Sequence, residues 1–506
     1  MGIQKKPNFN NNNVTKILYV ASEVYPLIKT GGLGDVAGSL PIALTKLACD
    51  VRIVLPCYAN IRTKFKRIKS LTTFQLKNKK INILEALLPG SRVKCWLIDF
   101  SPYFERAGTP YSDSDGNDWP DNAFRFDLLC EVAAMLACDQ LELNWYANIV
   151  HCNDWQTGLL PVYLQQYPVR PACIFTIHNL AYQGLFSKNI FDQLNLDKSY
   201  WSHEGLEFYG QLSFIKGGII YADEVNTVSP RYAKEITSKK FGHGLDGLLR
   251  YRNNNLTGIL NGINIQTWNP WKDPMLYLNY NANSLDIKHR NKIAVQAMFN
   301  LSKNKDTFLL GMVSRIVQQK GFEEVIAALP NLSKLNIQLV ILGCGNRIYE
   351  QKLTKLAKKY PKLIAVKIGY SENIAHMITA GADAYLMPST FEPCGLSQLY
   401  ALRYGTIPIV RNVGGLADSV CDYNSKINNN ATGFIVREQQ SENLVQTIIR
   451  CHETYLNKTI WHKLQRTGMR KNFSWRMSAE KYIDLYSKAM QTNFKPLKPK
   501  QVFAPL

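Results

Sequence analysis

Seven short motifs hold the side chains in this chain that can do chemistry. The first runs Lys29-Thr-Gly-Gly-Leu-Gly-Asp35. Paired glycines let a backbone approach a ligand closely, N–H groups at a helix start suit a phosphate, and Lys29 adds a point charge. It is not a Walker loop, because the GxxxxGK[ST] order is absent. It is not a clean dinucleotide fingerprint either, because a long loop separates strand from glycines. Read structurally, it is a glycine-rich turn with an exposed lysine. Asn153-Asp154-Trp155 follows a short apolar run. A carboxylate there can bind sugar hydroxyls or cap a helix, and the two roles can coexist. His178-Asn-Leu-Ala-Tyr-Gln-Gly184 follows another run. Its histidine can donate to a hydroxyl or a developing charge, and Asn179, Tyr182 and Gln183 make the loop suited to carbohydrate; a structural histidine is the alternative.

Four more motifs lie in the second half. Ser314-Arg-Ile-Val-Gln-Gln-Lys-Gly321 carries two cations, Arg315 and Lys320, on one loop. A diphosphate leaving group needs such donors. At about 4 Å and an effective dielectric of about 20, each contact has a Coulomb term of roughly 4 kcal/mol before desolvation. A solvated basic loop is the bland alternative. Gly343-Cys-Gly345 lacks the third glycine of a cofactor loop and reads as a tight turn. Ser389-Thr-Phe-Glu-Pro-Cys-Gly-Leu-Ser397 sets Glu392 before a proline and small residues that open a helix. The amides of Cys394, Gly395 and Leu396 can bind an anion or hydroxyls while Glu392 faces a sugar; alternatively, Glu392 is a surface acid favoured by the helix dipole. Gly414-Gly-Leu-Ala-Asp418 echoes the first loop and is structural or closes a cleft.

The elements that position these groups follow an α/β pattern of short apolar runs and helix-length stretches. In the first half the runs are Lys16–Ala21, Val51–Leu55, Ile149–Val150, Cys173–Ile177 and Glu224–Val228. A second series comprises Thr307–Val313, Gln338–Leu342, Ala365–Ile368, Ala384–Met387, Ile407–Val410 and Gly433–Val436. Both series predict mostly parallel, buried sheets. Three segments are expected: an N-terminal Rossmann-like domain over 1–260, a C-terminal one over 261–473, and a helix and tail over 474–506. Ligands of open α/β sheets bind beyond the carboxyl ends of the strands, so two such domains predict an interdomain cleft.

Composition sets the bounds. The chain has 506 residues, 46% of them hydrophobic and 20% charged, which excludes disorder as its main state. No uninterrupted apolar run is long enough to span a membrane. The polar Met1–Asn13 reads as a leader without a signal-peptide core, and the proline-bearing tail beyond Thr492 as irregular. The 11 cysteines are scattered without a CxxC pair, which predicts reduced thiols in a cytoplasm and no zinc site. A net charge of +21 favours anionic ligands. No concentrated basic tract accompanies it, so nucleic acid is not expected as a partner, nor is a membrane.

Together and in this order, the motifs from Lys29–Asp35 through His178–Gly184, Leu260-Asn-Gly262, Ser314-Arg315 with Lys320-Gly321, and Phe391–Leu396 resemble those of bacterial glycogen synthases and plant starch synthases. The resemblance covers about Ile17 to Met490. It implies a glycosyltransferase-B fold and transfer of glucose from ADP-glucose to the non-reducing end of an α-1,4-glucan, with retention and with neither metal nor other cofactor. Residue by residue, it implies that Lys29 and the backbone of Gly31 and Gly32 hold the donor's phosphates, with Asp35 beside them. Arg315 and Lys320 stabilise the departing ADP. Glu392 faces the donor glucose and the amides of Cys394 to Leu396 its hydroxyls. Asp154 and His178 approach the sugar, Asn261 and Tyr370 line the donor pocket, and Glu23, Asn179 and Tyr182 lie on the acceptor side. Asn264 and Asn346 stand where many relatives carry an acid. Tyr400, eight residues after Glu392, resembles the glycogen and starch synthases and argues against sucrose- and lipopolysaccharide-type enzymes. Lys320→Ala is expected to cut turnover by orders of magnitude without changing the melting temperature.

Overall fold

The computed structural model describes residues 14–424, 430–437 and 441–491. The leader Met1–Asn13 and the tail beyond Thr492 lie outside the described residues. Two compact units make up the chain: Met1–Val228 with Ala233–Gly262 and Trp475–Leu506, and Ser229–Tyr232 with Ile263–Ser474.

Strands of the first unit are β1 (Lys16–Val20), β2 (Asp50–Pro56), β3 (Lys69–Leu76), β4 (Lys79–Leu87), β5 (Lys94–Asp99), β6 (Ile149–Asn153), β7 (Ala172–Ile177), β8 (Leu185–Ser187), β9 (Glu207–Phe208), β10 (Gln211–Ser213), β11 (Glu224–Thr227) and β12 (Leu256–Gly258). Nine of them form one sheet in the order β12-β11-β7-β6-β1-β2-β5-β4-β3, while β8, β10 and β9 form a small separate one. The large sheet is parallel from β12 to β5. At one edge β4 runs antiparallel to β5, and β3 antiparallel to β4. That hairpin departs from the mostly parallel expectation. A short turn joins β3 to β4, and a turn so short can only reverse the chain. Its place at the edge shows in burial: β3 has no fully buried residue, whereas all five residues of β6 are buried.

Strands of the second unit are β13 (Phe308–Val313), β14 (Ile337–Gly343), β15 (Ile364–Ile368), β16 (Ala384–Met387), β17 (Ile407–Arg411) and β18 (Phe434–Val436). They form a wholly parallel sheet in the order β15-β14-β13-β16-β17-β18. Apolar side chains of its centre, including Phe308, Leu310, Leu339, Ile341 and Ile409, join one core with the helices outside it. Burial on both faces explains why these strands read as continuous apolar runs.

The C-terminal helix, Trp475–Gln491, belongs to the first unit. Tyr482, Leu485, Tyr486 and Ala489 are buried, as their spacing predicts. Polar contacts fix its register: Tyr486 OH meets His151 Nδ1 at 2.8 Å, Tyr482 OH accepts from Asn226 Nδ2 at 3.1 Å, and Ser478 Oγ donates to Leu260 O at 2.7 Å. Removing the Tyr486 hydroxyl strands a buried imidazole nitrogen. Tyr486→Phe is therefore expected to destabilise the first unit by about 1–3 kcal/mol, read as a lower urea midpoint.

Candidate functional site

Loops at the carboxyl ends of parallel strands carry the predicted residues of each unit. In the first unit, β1 leads through Ala21–Gly31 into the Gly32–Lys46 helix. Glu23 is buried, and its Oε2 accepts from the amides of Thr30 and Gly31 at 2.5 and 3.0 Å. Oε1 accepts from Tyr111 OH at 2.8 Å. The carboxylate expected on the acceptor side is thus occupied with holding the glycine-rich loop. Lys29 pairs with Asp35 at 2.8 Å. The helix start has no side-chain cap, which leaves its first N–H groups for water or a ligand. The glycines differ in purpose. A Cβ on Gly38 would sit 2.3 Å from Tyr25 O and one on Gly34 3.1 Å from Glu23 Oε2, so these two serve packing. A Cβ on Gly32 would meet nothing within 4 Å, and φ at Gly31 is −139°. Folding makes no demand for glycine there; what the pair provides is an open approach to the backbone.

Asp154 follows β6 with φ 60°, a left-handed conformation that is costly for a side chain. Its carboxylate does not cap the short turn that follows it. Instead Oδ1 accepts from His178 N at 2.9 Å and Asn179 N at 3.3 Å, tying the β6 loop to the β7 loop. Burial raises its pKa to about 7 against the pull of those two amides, and the charge on Glu23 adds to the rise. His178 is buried with Nε2 2.9 Å from Asn153 Oδ1, and burial lowers its pKa to about 3. Asn179 uses its side-chain oxygen on Ala181 N at 3.1 Å, and Tyr182 is exposed. Asn261 is buried, and its Oδ1 has no hydrogen-bond partner among the described residues. An orphaned acceptor of that kind costs stability unless something else fills the place.

In the second unit Arg315 is exposed on the loop after β13. The Gly343-Cys344-Gly345 turn braces that loop: Ile316 N donates to Cys344 O at 2.8 Å, and a Cβ on Gly343 would lie 2.0 Å from Ser314 O. Asn346, where relatives place an acid, caps the next helix by accepting from Ile348 N at 2.9 Å. Lys320 Nζ lies 2.5 Å from Glu392 Oε2, and Ser389 Oγ donates to the same oxygen at 2.9 Å. The two charged side chains are only 16% and 9% exposed. Glu392 is therefore no surface acid, and Lys320 is its counterion. Backbone geometry enforces the pairing. Gly321 has φ 74°, and a Cβ there would stand 2.3 Å from Pro388 O. Thr390 N donates to Gln319 O at 2.9 Å, and Gln319 Nε2 to Phe391 O at 3.0 Å.

Gly414 and Gly415 resolve structurally. Their Cβ atoms would come within 2.0 Å of Glu392 O and 2.1 Å of Cys394 O, and Gly415 N donates to Glu392 O at 3.1 Å. Buried Gln398 pins the neighbouring turn through Cys394 O and Gly395 O, both at 3.0 Å. Cys394 is buried, Gly395 has φ 70°, and Leu396 leads into the Ser397–Arg403 helix. Tyr370, beyond β15, is 66% exposed. Sequence reasoning missed Tyr111, Ser389, Gln398 and the part played by Asn153. Ser389 and Asn153 lie inside motifs already singled out; Tyr111 gave no signal, being 88 residues from Glu23.

Residues 16–251 match the starch synthase catalytic domain model, and residues 296–461 the model of glycosyl transferases group 1. The glycogen synthase of Cellvibrio japonicus is 48% identical over 476 residues, covering 93% of this chain and 98% of that protein. The chain belongs to the glycogen synthase family. It is a glycosyltransferase with the two α/β domains of the glycosyltransferase-B fold. Glycogen synthase 1 of Methylococcus capsulatus is likewise 48% identical over 477 residues, covering 94% of this chain and 97% of its own. Among solved structures, the catalytic domain of starch synthase IV from Arabidopsis thaliana, bound to ADP and acarbose, superposes with a TM-score of 0.86 at 30% identity, covering 95% of this chain and all of that one. A sucrose-phosphate synthase from Thermosynechococcus elongatus shares the fold at a TM-score of 0.58 and 16% identity, over 94% of this chain and 98% of its own.

The buried titrating groups set opposed pH dependences. Burial holds His178 and His151 neutral down to about pH 3, and His151 is further depressed by His178. Unfolded histidine titrates near about 6.5. Between those values only the unfolded chain binds the protons, so this stability is complete above about pH 6.5 and drains away as pH falls toward 3. Asp154 runs the other way: the native chain keeps its proton up to about pH 7, whereas the unfolded chain releases it near about 3.9. Its contribution is complete at low pH and is lost as pH rises through 7. His178→Gln is expected to shrink the loss of unfolding free energy between pH 8 and pH 4.5. Asp154→Asn is expected to gain on the parent chain from pH 4 to pH 7. Urea titrations at each pH check both.

Proposed function

We propose that the chain transfers glucose from ADP-glucose to the non-reducing end of an α-1,4-glucan, with retention of configuration. The observation that carries this is the Lys320–Glu392 pair, 2.5 Å apart at the carboxyl end of the second unit's parallel sheet and nearly closed to water. A cation there meets the negative charge that develops on a departing diphosphate, and low local dielectric magnifies its effect. Arg315 adds a second cation. Lys29 and the amide of Gly32, at an uncapped helix start, take the donor's phosphates, with Glu23 fixing the Gly31 backbone beside them and Asp35 holding the Lys29 ammonium. Asn261 offers its unused Oδ1 to the donor, and Tyr370 offers an exposed ring. Glu392 and the amides of Cys394, Gly395 and Leu396 face the sugar hydroxyls. His178 approaches the glucose, with Asp154 fixing its loop, and Asn179 and exposed Tyr182 serve the acceptor. The ADP and acarbose of the starch synthase IV structure support both ligand classes.

Retention is assigned to attack from the face that the diphosphate leaves. A carboxylate already accepting from Lys320 and Ser389 is a weakened nucleophile, whereas paired cations stabilise an oxocarbenium–diphosphate pair. Cationic side chains provide the countercharge in this scheme, without metal or other cofactor. The eleven unpaired cysteines support a cytoplasmic setting. Among the described residues no helix is long and apolar enough to cross a membrane, and neither a membrane nor nucleic acid is proposed as a partner.

Assays of nucleotide release with glycogen as acceptor test the proposal: ADP-glucose is expected to turn over far faster than UDP-glucose, and the reverse ranking defeats it. Glu392→Gln keeps an acceptor for Lys320 and Ser389, so it is expected to fold and to lose at least about a hundredfold in kcat. Lys320→Ala is expected to lose as much, and in addition to melt lower. It leaves the Glu392 charge buried and unpaired, which corrects the sequence-based expectation of an unchanged melting temperature.

A further inference from the structure

Asn153, the last residue of β6, is fully buried, and its amide is fixed from both ends. Nδ2 donates to Val20 O at 2.9 Å and to His151 O at 3.3 Å. Carbonyls only accept, so Oδ1 is the end that faces the other way. That oxygen takes the Tyr19 hydroxyl at 3.0 Å and lies 2.9 Å from His178 Nε2. An amide oxygen cannot donate, and a neutral imidazole carries one N–H. Nε2 therefore holds the hydrogen and Nδ1 holds a lone pair. Nδ1 makes no hydrogen bond among the described residues.

We propose that Asn153 is a positioning residue that locks His178 in the Nε2–H form and presents Nδ1 as an acceptor for a hydroxyl hydrogen of the transferred sugar. The sugar contact rests on the glucosyl-transfer function proposed above; the lock itself does not. It reverses the donor role expected of His178 from sequence. The surroundings keep the ring neutral. Its backbone N–H is taken by Asp154 Oδ1, and Glu23 acts on Asp154 rather than on the ring. His151, the neighbouring imidazole, is itself neutral, lying 2.7 Å from Thr176 Oγ1 and 2.8 Å from Tyr486 OH. Tyr19, the other hydrogen-bond donor to Asn153 Oδ1, packs edge-on against His151, with ring centroids 4.7 Å apart. A protonated ring here would carry an unanswered charge. A bare Nδ1 lets the site select a hydroxyl without bringing a charge toward the diphosphate.

The test uses the full chain labelled with ¹⁵N-histidine, with His178→Gln assigning the signals. Two-bond ¹H–¹⁵N spectra near neutral pH are expected to show His178 with a protonated Nε2 and an unprotonated Nδ1. An Nδ1–H signal, or an average of two forms, overturns the lock. Adding ADP-glucose without acceptor is expected to shift the Nδ1 resonance upfield and leave Nε2 in place. An unmoved Nδ1 overturns the sugar contact while the lock stands. In Asn153→Ser the His178 signals are expected to become a mixture of forms. Its kcat is expected to fall about tenfold, the scale of one oriented hydrogen bond, with little change in donor KM. A variant that keeps the single Nε2–H form overturns the role of Asn153; if it fails to fold, the parent spectrum decides. Absence of glucosyl transfer with every donor would defeat the proposed function and leave the lock intact.

Discussion

A carboxylate withdrawn from water must be answered where it sits, and in the second unit that answer is Lys320 against Glu392. Taking two ions out of solvent costs several kcal/mol each, and the attraction between them offsets this only when geometry is tight. Much of the local chain serves that tightness. Ser389 donates to the same oxygen as Lys320. Gly321, Gly414 and Gly415 remove side chains that would drive Pro388, Glu392 and Cys394 out of place. Gln398 holds the following turn by its carbonyls. The outcome is a fixed acid and a fixed cation at the end of a rigid parallel sheet, the arrangement that electrostatic catalysis demands.

The first unit solves the same problem without a cation. Glu23 and Asp154 each accept from backbone amides, and each thereby sets the course of a loop: Glu23 curls Thr30 and Gly31 toward the helix start, and Asp154 joins the β6 and β7 loops. Amide partners oppose the desolvation of Asp154 only in part, which is why its pKa rises. The two units thus place different chemistry at equivalent strand ends, one offering N–H groups and neutral acceptors, the other full charges.

Neutral polar groups do the finer positioning. Tyr19, Asn153, His151, Thr176 and the tyrosines of the C-terminal helix form a buried cluster under the His178 loop. Such a cluster is stable only when each donor finds an acceptor, and that requirement fixes proton positions as firmly as atoms. The Trp475–Gln491 helix, through Tyr486 and His151, therefore takes part in the order of a loop formed hundreds of residues earlier.

Much was legible from the residues alone. Apolar runs located most of the parallel strands, though not β5 or β12, because burial on both faces leaves a continuous hydrophobic record, and the glycine and charge motifs marked the loops because strand ends in such sheets carry the ligands. The β3–β4 hairpin escaped because edge strands, half in water, keep no such record. Local pattern also left open which glycines pack and which lie open, whether Glu392 is a surface acid, and which nitrogen of His178 bears its hydrogen. Those answers depend on partners far along the chain: Tyr111 for Glu23 at 88 residues, Glu392 for Lys320 at 72, Tyr486 for His151 at 335. Periodicity extends over a few turns of backbone. Hydrogen bonds and ion pairs depend on distance in space, and only the folded chain sets that distance.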